Sequence, residues 1–304
     1  MIKNKVCLVI VFLLIILTVN IYADSSDKKF EELFKTASLW EVGENKEVVQ
    51  NARKKLEKTG EPAIKFIINN KLSTDKTLEL RAINQVLISS PEITKPLLRK
   101  LLKENKASDL AIKNAIVLLG KLKDLESKDM ILEFFKIKKF RLAVISYSKS
   151  LKILELEPLI LQELNSIQEP EALTYLNILG TIGGIKSIEA LLDYLESDKN
   201  ILLRTTAELS IIKIIQPKHY DLIIRKFKKT KNKKLKYHLI QIMGETKDDQ
   251  FEEILIKTLK HKDWNIRLIT IINLRKLPKS KIIKTAFEKL SKKEKNPYVK
   301  SHLQ

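Results

Sequence analysis

Glycine and proline are scarce, at 7 and 8 residues in a chain of 304. Leucine, lysine and glutamate, which lose little rotamer freedom in a helix, are abundant, so the composition favours helices. Cysteine occurs once, as Cys7. From Asp24 onward there is none, which excludes disulfides and thiol chemistry and leaves packing alone to hold that part of the chain. The four histidines, His219, His238, His261 and His302, form no His-Glu, His-x-x-His or Cys/His spacing that binds a metal. There is no G-x-S-x-G nucleophile motif, no phosphate-binding glycine loop and no Asn-x-Ser/Thr acceptor. The stretch "GTIGG", Gly180 to Gly184, has no strand before it and reads as a turn between helices. These absences predict a chain that is not an enzyme and uses neither metal nor cofactor.

The N-terminus is different in kind. In "MIKNKVCLVIVFLLIILTVNIYADSSDKK", Lys3 and Lys5 precede an unbroken apolar run from Val6 to Leu17, and Tyr22-Ala23 offers a cleavage point before Asp24. This is the layout of a secretory signal peptide over residues 1–23. The run is shorter than the roughly 20 apolar residues of a membrane span. An uncleaved anchor through residues 6–23, holding the protein at the inner membrane, is the alternative. Taking Lys3 and Lys5 from the 57 basic residues leaves 55 against 37 acidic ones, a net charge of +18. A basic exported chain without disulfides points to a bacterial periplasm.

The rest of the chain repeats itself. Gln50, Arg81, Lys113, Arg141, Thr174, Arg204, Lys236, Arg267 and Lys300 occupy one recurring slot, with successive gaps of 28 to 33 residues. The residue before each is apolar: Val49, Leu80, Ile112, Phe140, Leu173, Leu203, Leu235, Ile266 and Val299. Gly120, Gly180 and Gly244 fall where the anchor helix would end, and are expected to serve as left-handed caps there. Pro62, Pro91, Pro217 and Pro278 fall where the next helix would begin. Amphipathic stretches such as "IEALLDYLESD", Ile188 to Asp198, lie between. One helix pair cannot bury its apolar face, whereas stacked pairs can. The expected fold is an all-α, α-α superhelical solenoid of about eight helix-pair repeats over 46–304. Residues 24–45, with Phe30, Leu33 and Phe34 on one helical face, are expected to form an N-terminal capping helix.

The Asp263-x-x-x-Arg267 spacing, the "LGTIG" of Leu179 to Gly183 and the "EALLDYL" of Glu189 to Leu195 resemble the HEAT repeat family in its short bacterial form, over about Lys46 to Gln304. The Trp-Leu-Gly-Tyr set of tetratricopeptide repeats and the Thr-Pro-Leu-His phrase of ankyrin repeats are missing. The resemblance implies a concave binding surface and an Asp–Arg pairing between neighbouring units. It also admits DNA-repair glycosylases, chromophore lyases and di-iron enzymes. The di-iron enzymes rest on His-Glu dipeptides, which this sequence lacks.

Two sets of residues are candidates for a site. The first is the anchor ladder, Arg81, Lys113, Arg141, Arg204, Lys236, Arg267 and Lys300. It is read as structural, with Asp109, Asn232, Asp263 and Asn296 four residues earlier capping the helix and meeting the cation; gripping a polyanion is the alternative. The second is the run "RKFKKTKNKKLK", whose Arg225, Lys226, Lys228, Lys229, Lys231, Lys233 and Lys234 form either a solvated loop or an anion-binding patch. Trp40 and Trp264 are expected to be packing residues. The leading functional expectation is a periplasmic protein-binding scaffold with a partner in the cell envelope. The alternative is a binder of anionic polymers or lipid headgroups, with nucleic acid as the polymer if the chain is not exported.

Overall fold

Each anchor phrase folds as a helix, and each amphipathic stretch between anchors folds as another or as a shorter helical turn. The computed structural model describes residues 27–164, 166–197 and 200–303; the predicted signal segment lies outside them. Two compact units are divided between Leu151 and Lys152. The first holds α1 (27–37), then α2 (Asn45–Thr59), α3 (Glu61–Asn70), α4 (Thr77–Ile88), α5 (Pro91–Glu104), α6 (Asp109–Lys121), α7 (Lys128–Glu133) and α8 (Arg141–Leu151). The second holds α9 (Glu157–Glu163), α10 (Glu169–Ile182), α11 (Ile185–Glu196), α12 (Ile201–Ile214), α13 (Tyr220–Lys229), α14 (Lys233–Glu245), α15 (Glu252–Thr258), α16 (Trp264–Leu274), α17 (Lys281–Ser291) and α18 (Pro297–Ser301). No strand occurs among the described residues. The fold is an all-α solenoid of helix pairs.

Within each unit the even-numbered helices, which carry the anchors, stack on one another as one layer. Odd-numbered helices form the other, α3 against α5, α9 against α11 and α15 against α17. The apolar residue before the anchor explains the inner face of the even layer. Val49, Ile112, Phe140, Leu203, Leu235, Ile266 and Val299 are buried, and Leu80 and Leu173 are half-buried. Burying a side chain of this size contributes about 1.5–3 kcal/mol. On α1, Phe30 and Phe34 are buried and Leu33 is half-buried, and the Phe30 ring stands 5.6 Å from that of Phe66 on α3.

Helix starts follow side-chain chemistry, with shifts from expectation at Asp109, Pro217 and Pro278. Asn232 accepts from the backbone N–H of Lys234 and Leu235 at 2.9 and 3.2 Å. Asp263 caps Asn265 at 3.0 Å, and Asn296 caps Tyr298 and Val299 at 3.0 and 3.2 Å. Asp109 does not cap. Ser108 takes that role on Ala111 at 3.3 Å, and Asp109, one residue into the helix, pairs with Lys139 at 2.8 Å. Pro62 and Pro91 stand in the first turns of α3 and α5. Pro217 instead opens a single 3-10 turn ahead of α13, and Pro278 lies in the loop before α17.

The three helix glycines are not caps. Gly120, Gly180 and Gly244 lie inside α6, α10 and α14. A Cβ on Gly120 would come 2.8 Å from Tyr147 Cα, one on Gly180 2.8 Å from Ser210 Cα, and one on Gly244 2.6 Å from Asn273 Cγ. Each glycine therefore lets its helix approach the next even helix, α8, α12 or α16. Glycines with positive φ stand at helix junctions instead, Gly43 at 59° before α2 and Gly60 at 70° between α2 and α3, and the left-handed cap of α5 is Asn105. Among the described residues no helix is long and apolar enough to cross a membrane.

Candidate functional site

The anchors occupy equivalent places near the starts of the even helices, but their side chains do different things. Arg81 and Lys300 are exposed, and Lys113 and Arg204 half-buried. Arg141 donates from Nε to the Phe135 carbonyl at 3.1 Å and stacks over that ring at 5.5 Å. Lys236 places its ammonium 5.4 Å from the Phe227 ring. Arg267 donates from Nε and Nη2 to the two carboxylate oxygens of Glu294, each at 2.7 Å. Its Nη1 reaches the His261 and Lys262 carbonyls at 2.9 and 3.1 Å. The expected Asp263–Arg267 hydrogen-bonded pair is thus replaced. Arg267 clamps the turn before its own helix to Glu294 of the next repeat, while Asp263 takes Lys233 at 2.8 Å. The Arg267 guanidinium holds the Glu294 carboxyl below the usual range despite its burial, and Lys233 does the same for Asp263.

The basic run is not a loop. Arg225 to Lys229 end α13, residues 230–232 make the turn, and Lys233 to Lys236 begin α14. Phe227 and Leu235, within the run, are buried. Lys226 pairs with Glu196 at 2.7 Å, and Arg225 donates from Nε to the Asp221 carbonyl at 3.3 Å. Lys228, Lys229, Lys231, Lys233 and Lys234 are exposed. Cations at the C-terminal end of α13 complement its helix dipole, whereas Lys233 and Lys234 oppose that of α14.

Sequence reasoning missed three buried polar clusters, because their partners lie 12 to 32 residues apart. Arg53, only 1% exposed, donates to the Ala37 carbonyl at 2.9 Å, to Glu41 at 2.7 Å and to Gln85 at 3.1 Å. Arg99 grips buried Asp124 through Nε at 2.9 Å. Burial alone would raise the Asp124 pKa, but the Arg99 guanidinium and a hydrogen bond from Ser127 together outweigh it and the net direction is down. Glu208, buried on α12, meets His238 of α14. Of the other histidines, His219 is buried, which pushes its pKa down, and His261 is lowered for the same reason. Among the described residues no three His, Cys, Asp or Glu side chains gather as metal ligands do.

The exposed apolar side chains have a pattern of their own. In the second unit Ile201, Leu202, Leu209, Tyr237, Trp264, Ile272 and Tyr298 all stand at the surface of even helices. Counted from the anchor, they fall at −3, −2, +1 and +5, which at 3.6 residues per turn is one face about 100° wide. Ile201 is 72% exposed and Tyr298 58%. Trp264 is 39% exposed and meets Tyr298 edge-on with centroids 6.2 Å apart. Trp40 is 60% exposed and is not the packing residue expected, whereas Trp264 packs in part, against Tyr298. The first unit places Val48, Leu110 and Leu142 at the same −2, −3 and +1 positions, also exposed.

No protein-family model matches this sequence, and no curated protein matches it. Among solved structures, one of human deoxyhypusine hydroxylase in complex with glycerol is similar at 12% identity and a TM-score of 0.33, over 84% of this chain and 98% of that one. That protein is a hydroxylase, an enzyme. The expectation that the present chain is not an enzyme is withdrawn against this finding. At this level of similarity the match assigns no reaction to the present chain.

Proposed function

We propose that this chain is a HEAT-like helical-repeat scaffold of the bacterial periplasm that binds a protein partner along the exposed face of its even helices. The carrying observation is the recurrence of exposed apolar side chains at matching positions on successive even helices. A soluble surface tolerates single exposed apolar residues, but an aligned set on neighbouring elements is how interaction surfaces are built. Trp and Tyr are also the residues that most often anchor such contacts. The periplasmic part of the reading is supported by Lys3, Lys5, the apolar run from Val6 to Leu17 and the absence of cysteine after Cys7.

Two measurements test it. Export is read with a reporter fused after Ser26. The fusion is active outside the cytoplasm, and Leu13→Asp with Leu14→Asp keeps it inside, because charges in the apolar core block insertion. Export that survives the double change refutes the periplasmic assignment. Binding is read by capture from envelope extracts with the chain starting at Asp24. A single partner is recovered reproducibly by the wild type and lost with Trp264→Glu and Tyr298→Glu, while helix content is unchanged. A partner held equally by both proteins removes the even-helix face from the reading.

A further inference from the structure

We propose that the trough between α15 and α17 is a docking groove for an amphipathic helix of a partner protein, a helix with acidic flanks. The floor is apolar: Ile256 and Leu259 on one side, Ile282, Ala286 and Leu290 on the other, around a volume of 740 Å³. It belongs to the odd layer, so it is a second surface, and it stands or falls apart from the even-helix face. Helix α17 is poorly covered for so amphipathic an element. Of its side chains only Ile283 is buried, and Ile282 is 65% exposed.

Residue spacing along α17 defines the occupant. Ile282, Ala286 and Leu290 recur every fourth residue and make one ridge, and Lys281, Thr285 and Lys289 make the ridge beside it, with Lys293 just past the helix end. Lys260 adds a cation from the α15 side, and no carboxylate is among the residues lining the groove. From Lys281 to Ser291 the helix rises about 15 Å, or a little under three turns. A single lipid headgroup needs cations that converge on one point, whereas these are strung out at helical intervals, and a flat membrane surface would not fill a trough whose floor is apolar. The complement is a helix with an apolar face and carboxylates repeating at three or four residues along its edge, the helix-in-groove mode of recognition. Charge at the rim then sets register and orientation, and the apolar floor supplies the buried contact.

The test uses the full chain from Asp24 and a labelled model peptide about four turns long, with leucines on one face and glutamates flanking them. A twin carries lysines in place of the glutamates. The glutamate peptide binds, the lysine twin binds at least about tenfold more weakly, and raising salt weakens the glutamate peptide. Lys281→Glu with Lys289→Glu reverses the preference between the peptides. Ile282→Asp abolishes binding of the glutamate peptide without loss of helix content, because that side chain is exposed in the free protein. Equal binding of both peptides, no binding of either, or indifference to the lysine reversal overturns the proposal. So does sedimentation with anionic vesicles in preference to the peptide, or a chain dimer that Ile282→Asp dissolves; these assign the groove to lipid or to a second copy. Loss of partner capture by the Trp264 and Tyr298 variants leaves these outcomes untouched, so the two readings fail separately.

Discussion

Arg267→Ala lowers the unfolding free energy by about 3–5 kcal/mol, because it leaves the Glu294 carboxylate buried without its partner. Glu294 has a side-chain exposure of 1% and Arg267 of 16%, so water cannot substitute well. The pair also joins consecutive repeats, and its loss uncouples α16 from the turn before α18. Urea unfolding measures the effect. Arg267→Met combined with Glu294→Leu recovers most of the loss, since an apolar pair of similar volume carries no desolvation penalty. A loss below about 1 kcal/mol in Arg267→Ala would place the pair among ordinary surface ion pairs.

The same pair gives a pH signature with a definite sign. Glu294 and Asp124 both have folded-state pKa values lowered by their arginines. Their contribution to stability is present above the unfolded values of about 4.3 and 3.9. It is lost as pH falls through the lower folded-state values, where protonation breaks the pairs. Wild-type urea midpoints therefore hold steady from neutrality to about pH 5 and then fall. In Arg267→Ala the orphaned Glu294 is relieved by protonation, so the deficit against wild type narrows as pH drops. A deficit that stays constant down to pH 3, about a unit below the unfolded carboxylate range, shows that Arg267 acts through packing alone.

Gly244→Ala destabilises the protein although alanine is the better helix former by about 1 kcal/mol. The new Cβ meets Asn273, which is fully buried and donates from its side-chain amide to the Ile269 carbonyl at 2.8 Å. Neither a rotation nor a withdrawal of that side chain is free, so α14 and α16 must separate. Overpacking of this kind costs about 1–3 kcal/mol, leaving a net loss of up to about 2 kcal/mol after the propensity gain. Gly120→Ala follows the same logic against the Tyr147 backbone, which cannot move aside at all without α8. Thermal unfolding reads the change, and Asn273→Ala in the Gly244→Ala background relieves the contact and restores part of the midpoint. A higher melting temperature for Gly244→Ala alone would show that the helices do not need their close approach.

The repeat was legible because burial imposes a period. An apolar residue beside each anchor must return to the same inner layer about every 31 residues, and a gap of 28 to 33 tolerates only small changes in loop length. The glycines were visible as recurring positions yet misread in role. Sequence spacing places Gly244 near a helix end, and only the neighbouring helix supplies the Asn273 that forbids a side chain there. The Asp263–Arg267 pairing failed similarly. Four residues put the two on one helix face, but Asp263 spends its oxygens on the cap and on Lys233, which leaves Arg267 to Glu294, 27 residues ahead.

By itself the sequence determined the helix-pair architecture, the positions of the even helices and the basic composition. Periodic burial and helix capping are local or repeated constraints, and repetition makes them readable. Tertiary structure alone decided which cation meets which carboxylate, that the lysine-rich run is two helix ends rather than a loop, and that the aligned apolar residues on the even helices face outward. It also decided that α17 leaves an apolar trough bordered by Lys281 and Lys289. The physical reason is that exposure and pairing depend on which helix lies alongside. A periodic pattern names the face of a helix, and only the packed neighbours determine whether that face is covered.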